Sequence, residues 1–260
     1  MPIAVLVCVA SLLQTPQGVS GTRYSFNMIT DDDSIAGLVR EDGRRARIDL
    51  SSHGHDRDYV LILDRGHRVA SIHPGESEYS ITDDSTFAHA AAIGLRAASA
   101  TGIVRFRVRD MHISSRRVGA GEPVAGLPTE RFRLIQEYTV GVSALGLAGE
   151  TVHQVVVTDY WVNPTLTLVP NPIIDLLSTI VSVLGQSDPE FIRRSDAERR
   201  GLFRGQPLRI VVTSHTLEDP GKVTTQRIEV TEIGRGTFDR SIWDIPAGFR
   251  QKEGEFSWRF

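Results

Sequence analysis

Along most of this chain apolar and polar side chains alternate with a period of two, the pattern of a strand with one buried and one wet face. Val104, Phe106 and Val108 share one parity, and Arg105, Arg107 and Arg109 share the other. Phe132, Leu134, Tyr138 and Val140 repeat the scheme against Arg131, Arg133 and Glu137. So do Leu208, Ile210 and Val212 beside Arg209 and Thr213, and Ile228 and Val230 beside Arg227, Glu229 and Thr231. Residues 153–162 are more nearly continuous, with Val155, Val156, Val157, Tyr160 and Trp161. Shorter runs open the chain at 24–29, 35–40, 45–50, 59–63 and 69–72. Turn chemistry separates them, including Asp42-Gly43 and Asp64-Arg65-Gly66. Such turns between strand-like runs predict hairpins. The opening third reads as an antiparallel meander, and the later runs as further strands of a sheet with one buried face.

Two stretches break this period. Residues 83–100 place Phe87, Ala90, Ala91, Gly94, Leu95 and Ala98 three and four apart, predicting a helix with a small-residue face. A second helix is predicted after Asn171 as N-cap and Pro172 as first helical residue, ending at Gly185. Its aliphatic residues Ile173, Ile174, Leu176, Leu177, Ile180, Val181, Val183 and Leu184 cover more of its surface than a helix lying on one sheet needs. A third, charged helix follows, opened by the capping pattern Ser187-Asp188-Pro189-Glu190 and solvated over 193–200.

Composition narrows the function classes. The 260 residues are 40% hydrophobic and 23% charged, with a formal net charge of −3. That suits a globular chain and argues against nucleic acid as the main partner, since phosphate binding needs a concentrated positive face. Residues 3–13 form an uncharged apolar run, too short to cross a bilayer core, and Gly18, Ser20 and Gly21 supply small residues for cleavage. The expectation is a signal peptide over 1–20, followed by one domain over 21–260, in a periplasmic or secreted protein. No Lys or Arg precedes the apolar run, and an N-terminal core strand is the alternative. Cys8 is the only cysteine, and Val7 before it does not suit a lipid-anchor site. Removal of the signal leaves no thiol for disulfides, metal ligation or nucleophilic chemistry.

No catalytic motif stands out. Gly141-Val142-Ser143-Ala144-Leu145-Gly146 misses the nucleophile-elbow spacing. No phosphate loop or calcium loop is present, and Asp31-Asp32-Asp33 reads as a turn. Among the eight histidines only His53-Gly54-His55-Asp56 is dense. Three donors in one loop could share a metal, which makes a metal-assisted hydrolase the least favoured reading, and no cofactor or metal is expected. The arginines Arg105, Arg107, Arg109, Arg131 and Arg133 would share one sheet face if their strands are neighbours. They are either a solvated face partnered by acids such as Glu137 and Glu229, or a docking face for lipid head groups or an acidic envelope protein.

Three passages carry a family resemblance. Gly126-Leu127-Pro128-Thr129-Glu130-Arg131-Phe132-Arg133-Leu134 looks like a family glycine followed by a strand. Val157-Thr158-Asp159-Tyr160-Trp161-Val162 is similar to an acidic–aromatic strand, and Phe238 with Ile245-Pro246-Ala247-Gly248-Phe249 to a closing motif. Together with the order of elements, these resemble the periplasmic lipoprotein-carrier superfamily, closest to its uncharacterised exported families, over residues 22–250. The resemblance implies an α+β fold: a strongly curved antiparallel sheet, an incomplete barrel, wrapped around inserted helices that leave an apolar cavity for acyl chains. Phe87, Leu95, Trp161, Ile173 and Ile174 are then expected to line it, with Leu177, Ile180, Val181, Leu184 and Trp243. The function expected is non-enzymatic shelter for an acyl chain or lipidated partner, without spanning a membrane. The alternative is an envelope-sensing module docking through the arginine face.

Overall fold

Period-two sequence becomes strand throughout the computed structural model, which describes residues 18–30, 34–51, 58–83, 104–144, 147–171 and 189–252. Six strands come first: β1 (Val19–Ile29), β2 (Ser34–Glu41), β3 (Ala46–Ser51), β4 (Tyr59–Leu63), β5 (Arg68–His73) and β6 (Glu78–Asp83). Three long strands follow, β7 (Val104–Val124), β8 (Leu127–Ala144) and β9 (Leu147–Val162). Helix α1 (Pro189–Leu202) precedes β10 (Pro207–Thr216), β11 (Thr224–Phe238) and the short β12 (Arg250–Gln251).

All twelve strands form one sheet in the order β12-β6-β5-β4-β3-β2-β1-β11-β10-β9-β8-β7. The arrangement is two meanders joined at their ends. One grows from β1 to β6; the other runs from β7 to β11, whose return beside β1 closes the connection between them. Every pairing is antiparallel except β12 with β6. Local chemistry fixes the registers. Asp42 accepts hydrogen bonds from the backbone N–H groups of Arg44 and Arg45 at 2.9 and 2.8 Å, holding the β2–β3 turn, where Gly43 has φ 82°. Ala125 and Gly126 both have positive φ (49° and 76°) and join β7 to β8 as a two-residue loop. That is the hairpin turn whose twist matches its strands.

The registers sort side chains onto two faces. On the face termed inner here, Tyr24 and Phe26 on β1 adjoin Val39, Ile48, Val60 and Val69 on one wing. On the other wing they adjoin Ile228, Ile210, Tyr160, Phe132 and Val108. These belong to one buried cluster. The outer face carries a smaller cluster, Tyr59, Leu61, Ala70 and Ile72, packed by Tyr79, Ile81, Ile245 and Phe249. Burial on both faces explains why β4 reads as an unbroken apolar run.

Helix α1 lies against the inner face of β7 and β8. Phe191 meets the Tyr138 ring edge-on at 4.6 Å, Gln136 donates to Ser195 and Ser115 donates to Glu198. Phe203 beyond it packs on Phe132 and Tyr160 at 5.6 and 4.9 Å.

The expected α+β fold is corrected. The described residues form one mixed 12-stranded sheet, not closed into a barrel, with a single α-helix. Two physical causes stand out. The period-two pattern extends across most of the chain, and the β7–β8 hairpin alone consumes strands of 21 and 18 residues. The C-terminal passage returns along the far edge and pairs parallel with β6, so the sheet is not purely antiparallel. The charged third helix is present as α1, exposed or half-buried over 193–200, with Phe191 ahead of that stretch buried. The helices predicted over 83–100 and from Pro172 to 184 lie outside the described residues except for Asp83, which ends β6, and nearly all of the expected signal segment lies outside them too. Val19 and Ser20, its last two described positions in β1, pair with Phe238 and Thr237.

Candidate functional site

The inner face is apolar across the sheet but is pinned by a few buried polar groups. Residues 163–171, a strap between β9 and the following segment, begin with Asn163, whose Oδ1 accepts from the N–H groups of Thr165 and Leu166. Its Nδ2 donates to the Pro128 carbonyl at 2.8 Å. Farther along, the Val169 N–H donates to Glu41 Oε2 at 2.7 Å, the Asn171 N–H donates to Gln206 Oε1, and Asn171 Nδ2 donates to the Tyr24 hydroxyl. Strand β2, Gln206 just before β10, and β1 therefore each hold one point of the strap. Burial pushes the Glu41 carboxyl up to about 7; the Val169 N–H opposes it, Asp42 adds to it and Arg235 lowers it.

Of the residues expected to line a cavity, the structure describes two. Trp161 is on the outer face, because its register partners Arg209 and Arg131 flank it there. The two guanidiniums sit over its ring at 5.2 and 5.0 Å. Gly121 of the curled β7 tip closes over it: a Cβ at Gly121 would stand 2.7 Å from Trp161 Cδ1. Trp243 is buried in the 3-10 turn Arg240–Trp243, donating from Nε1 to the Arg40 carbonyl beneath Arg45. Phe87, Leu95, Ile173, Ile174, Leu177, Ile180, Val181 and Leu184 lie outside the described residues.

The arginine face is brought together only in part. Arg131 and Arg133 both clasp Asp159 of β9, at 2.7 and 2.8 Å. Burial alone would raise the Asp159 pKa, but hydrogen bonds and charge from Arg133 and Arg131 hold it below the usual carboxylate range. Arg109 is exposed and pairs with Thr139, six positions along β8 from Arg133; Arg105 and Arg107 have backbone positions in β7 only. Sequence reasoning missed Arg209, which bridges Glu122 of the β7 tip and Glu229 of β11, each at 2.9 Å. These guanidiniums are consumed by internal partners, which leaves less charge for docking.

A third cluster was not foreseen. Asp58, just before β4, stands opposite His73 of β5, and its Oδ2 lies 2.8 Å from His73 Nδ1. His73 Nε2 lies 3.2 Å from Ser71 Oγ, two residues back on the same strand and face. Ser80 of β6 faces Ser71 across the ladder, and its Oγ is buried without a hydrogen-bond partner. The only sequence trace is a Ser-x-His on a strand, which is weak without knowing that β4 brings Asp58 alongside.

His53, His55 and Asp56 lie outside the described residues, and among those described no three His, Cys, Asp or Glu gather closely enough to hold a metal. No described helix is long and apolar enough to cross a membrane. No protein-family model matches this chain, and a comparison with curated proteins gives no match either.

Proposed function

We propose that the protein is a binding protein that takes a lipid acyl chain, free or carried by a lipidated partner, against the inner face of its sheet. What supports this reading is one apolar face that runs across the sheet from Val69 on β5 to Val108 on β7 and forms a single buried cluster. Twelve strands at about 4.8 Å spacing make a sheet roughly 53 Å across its contour. Helix α1, with 14 residues, is only about 21 Å long. Domains bury an apolar sheet face against a second layer of helix or sheet. Tyr24, Phe26, Val39, Ile48, Val60 and Val69 of that face are covered, so an acyl chain would enter among packed apolar side chains rather than lie on bare surface. Among the described residues both sheet edges, β12 and β7, end without a further strand, so the sheet is not closed into a barrel. An acyl chain suits such a surface because burial yields about 0.8 kcal/mol per methylene without any specific polar partner.

The experiment is native mass spectrometry of protein purified without denaturant and incubated with a long-chain fatty acid. The reading expects a saturable adduct of one acyl chain per protein. A bare protein mass at saturating fatty acid, with the sheet intact by circular dichroism, overturns it.

A further inference from the structure

We infer that Ser71 is a base-activated hydroxyl, with His73 as its base and Ser80 as an oxyanion donor, that accepts the acyl group of an ester lying on the inner face. The connectivity follows from donor and acceptor chemistry. A carboxylate only accepts, so the Asp58 contact at 2.8 Å places the proton of the neutral His73 ring on Nδ1. Nε2 then presents a lone pair, and the Ser71 hydroxyl 3.2 Å away donates to it. A hydroxyl hydrogen-bonded to a base, with that base oriented by a third group, is the arrangement that activates a serine irrespective of fold or chain order.

Ser80 supplies the independent observation. It is 7% exposed, stands directly opposite Ser71 and leaves its hydroxyl without a partner. A buried polar atom without a partner is destabilising, and such atoms call for a reason. Ser71 and Ser80 are partners in the β5–β6 ladder, which engages the N–H groups between these two strands, so a side-chain hydroxyl is the donor available to a developing oxyanion between the two serines.

The step balances with water as co-reactant. Ser71 Oγ bonds to the acyl carbon while its proton passes to His73 Nε2. The ester C–O bond then breaks, and the leaving alcohol takes that proton. Water attacks the acyl-serine, giving its proton to His73, and the acid departs as Ser71 recovers a proton. Asp58 is a positioning residue, since it acts through the ring. The choice of an acyl ester rests on the proposed function; the activation of Ser71 does not.

The test treats the full chain with diisopropyl fluorophosphate and locates the adduct by peptide mass spectrometry, with fatty-acid binding measured on the same samples. Expected is one adduct on Ser71, absent in Ser71→Ala, about 100-fold slower in His73→Gln and at least about 10-fold slower in Ser80→Ala. Ser80→Ala removes only an unpartnered hydroxyl, so it keeps the test usable if His73→Gln does not fold. For Asp58, nitrogen-15 shifts of His73 are expected to show a protonated Nδ1, moving to a protonated Nε2 in Asp58→Asn. No adduct, an adduct elsewhere, or wild-type labelling rates in folded His73→Gln and Ser80→Ala overturn the inference. Absent labelling with intact fatty-acid binding removes this inference alone; Ser71 labelling without fatty-acid binding removes the proposed function alone.

Discussion

The carboxylate of Glu41, on β2, accepts the backbone N–H of Val169 at 2.7 Å, tying the strap to a strand 128 positions earlier in sequence. Glu41 is 2% exposed, and burial raises its pKa from 4.5 to about 7. The folded state therefore binds this proton more tightly than the unfolded chain does. The resulting stability is fully present below about pH 4.5 and is lost as pH rises through about 7. At 1.36 kcal/mol per pKa unit the whole effect amounts to about 3 kcal/mol. Glu41→Gln keeps an oxygen for Val169 but carries no charge. Urea unfolding from pH 4.5 to 8 is expected to show a decline in the parent that is flatter in Glu41→Gln, with the variant the more stable at pH 8. Equal slopes in both proteins contradict this.

Asp159 behaves with the opposite sign. Its pKa is depressed by Arg133 and Arg131, so its contribution is present above the ordinary carboxylate range and is lost as pH falls through the lowered value. Asp159→Asn leaves two half-buried guanidiniums without their shared anion. The expected cost at pH 7 is about 2 kcal/mol, shrinking toward acid pH as the parent protonates. Chemical denaturation at two pH values checks both parts.

Gly37 pairs with Phe26, whose ring covers it so closely that a Cβ would stand 2.3 Å from Cε1. Phe26 is fully buried and has nowhere to retreat. Gly37→Ala is expected to lose about 1–3 kcal/mol. Gly75→Ala, where a Cβ meets nothing within 4 Å, is expected to be neutral or slightly stabilising. Comparing their thermal midpoints separates this close approach from a general aversion to replacing glycine.

The strands were legible because parity is a local signal. Val108, Leu134, Ile210 and Ile228 each sit where alternation puts them, on the buried face. Asp42-Gly43 marked its turn for the same reason, since the side chain and the positive φ act within three residues. Trp161 was misplaced: Val155 and Val157 make its parity look as apolar as that of Val156 and Tyr160, and only Asp159, two positions before it, marks that parity as the outward one. Partners across strands were hidden too. Arg131 and Arg133 find Asp159 26 to 28 positions away, and Asp58 meets His73 only because β4 and β5 pair in one register. Strand β6 went unread because its alternation is short and runs into the helical pattern expected from Asp83.

Chain-length dependence tests the central claim most directly. Dissociation constants for saturated fatty acids of 8 to 16 carbons, measured by displacement of a fluorescent fatty acid, report how much chain is taken out of water. If the inner face shelters the chain, affinity rises about tenfold for every two added methylenes, in keeping with ~0.8 kcal/mol each. An affinity that does not change with length, in protein whose sheet is intact, contradicts an acyl chain lying on that face.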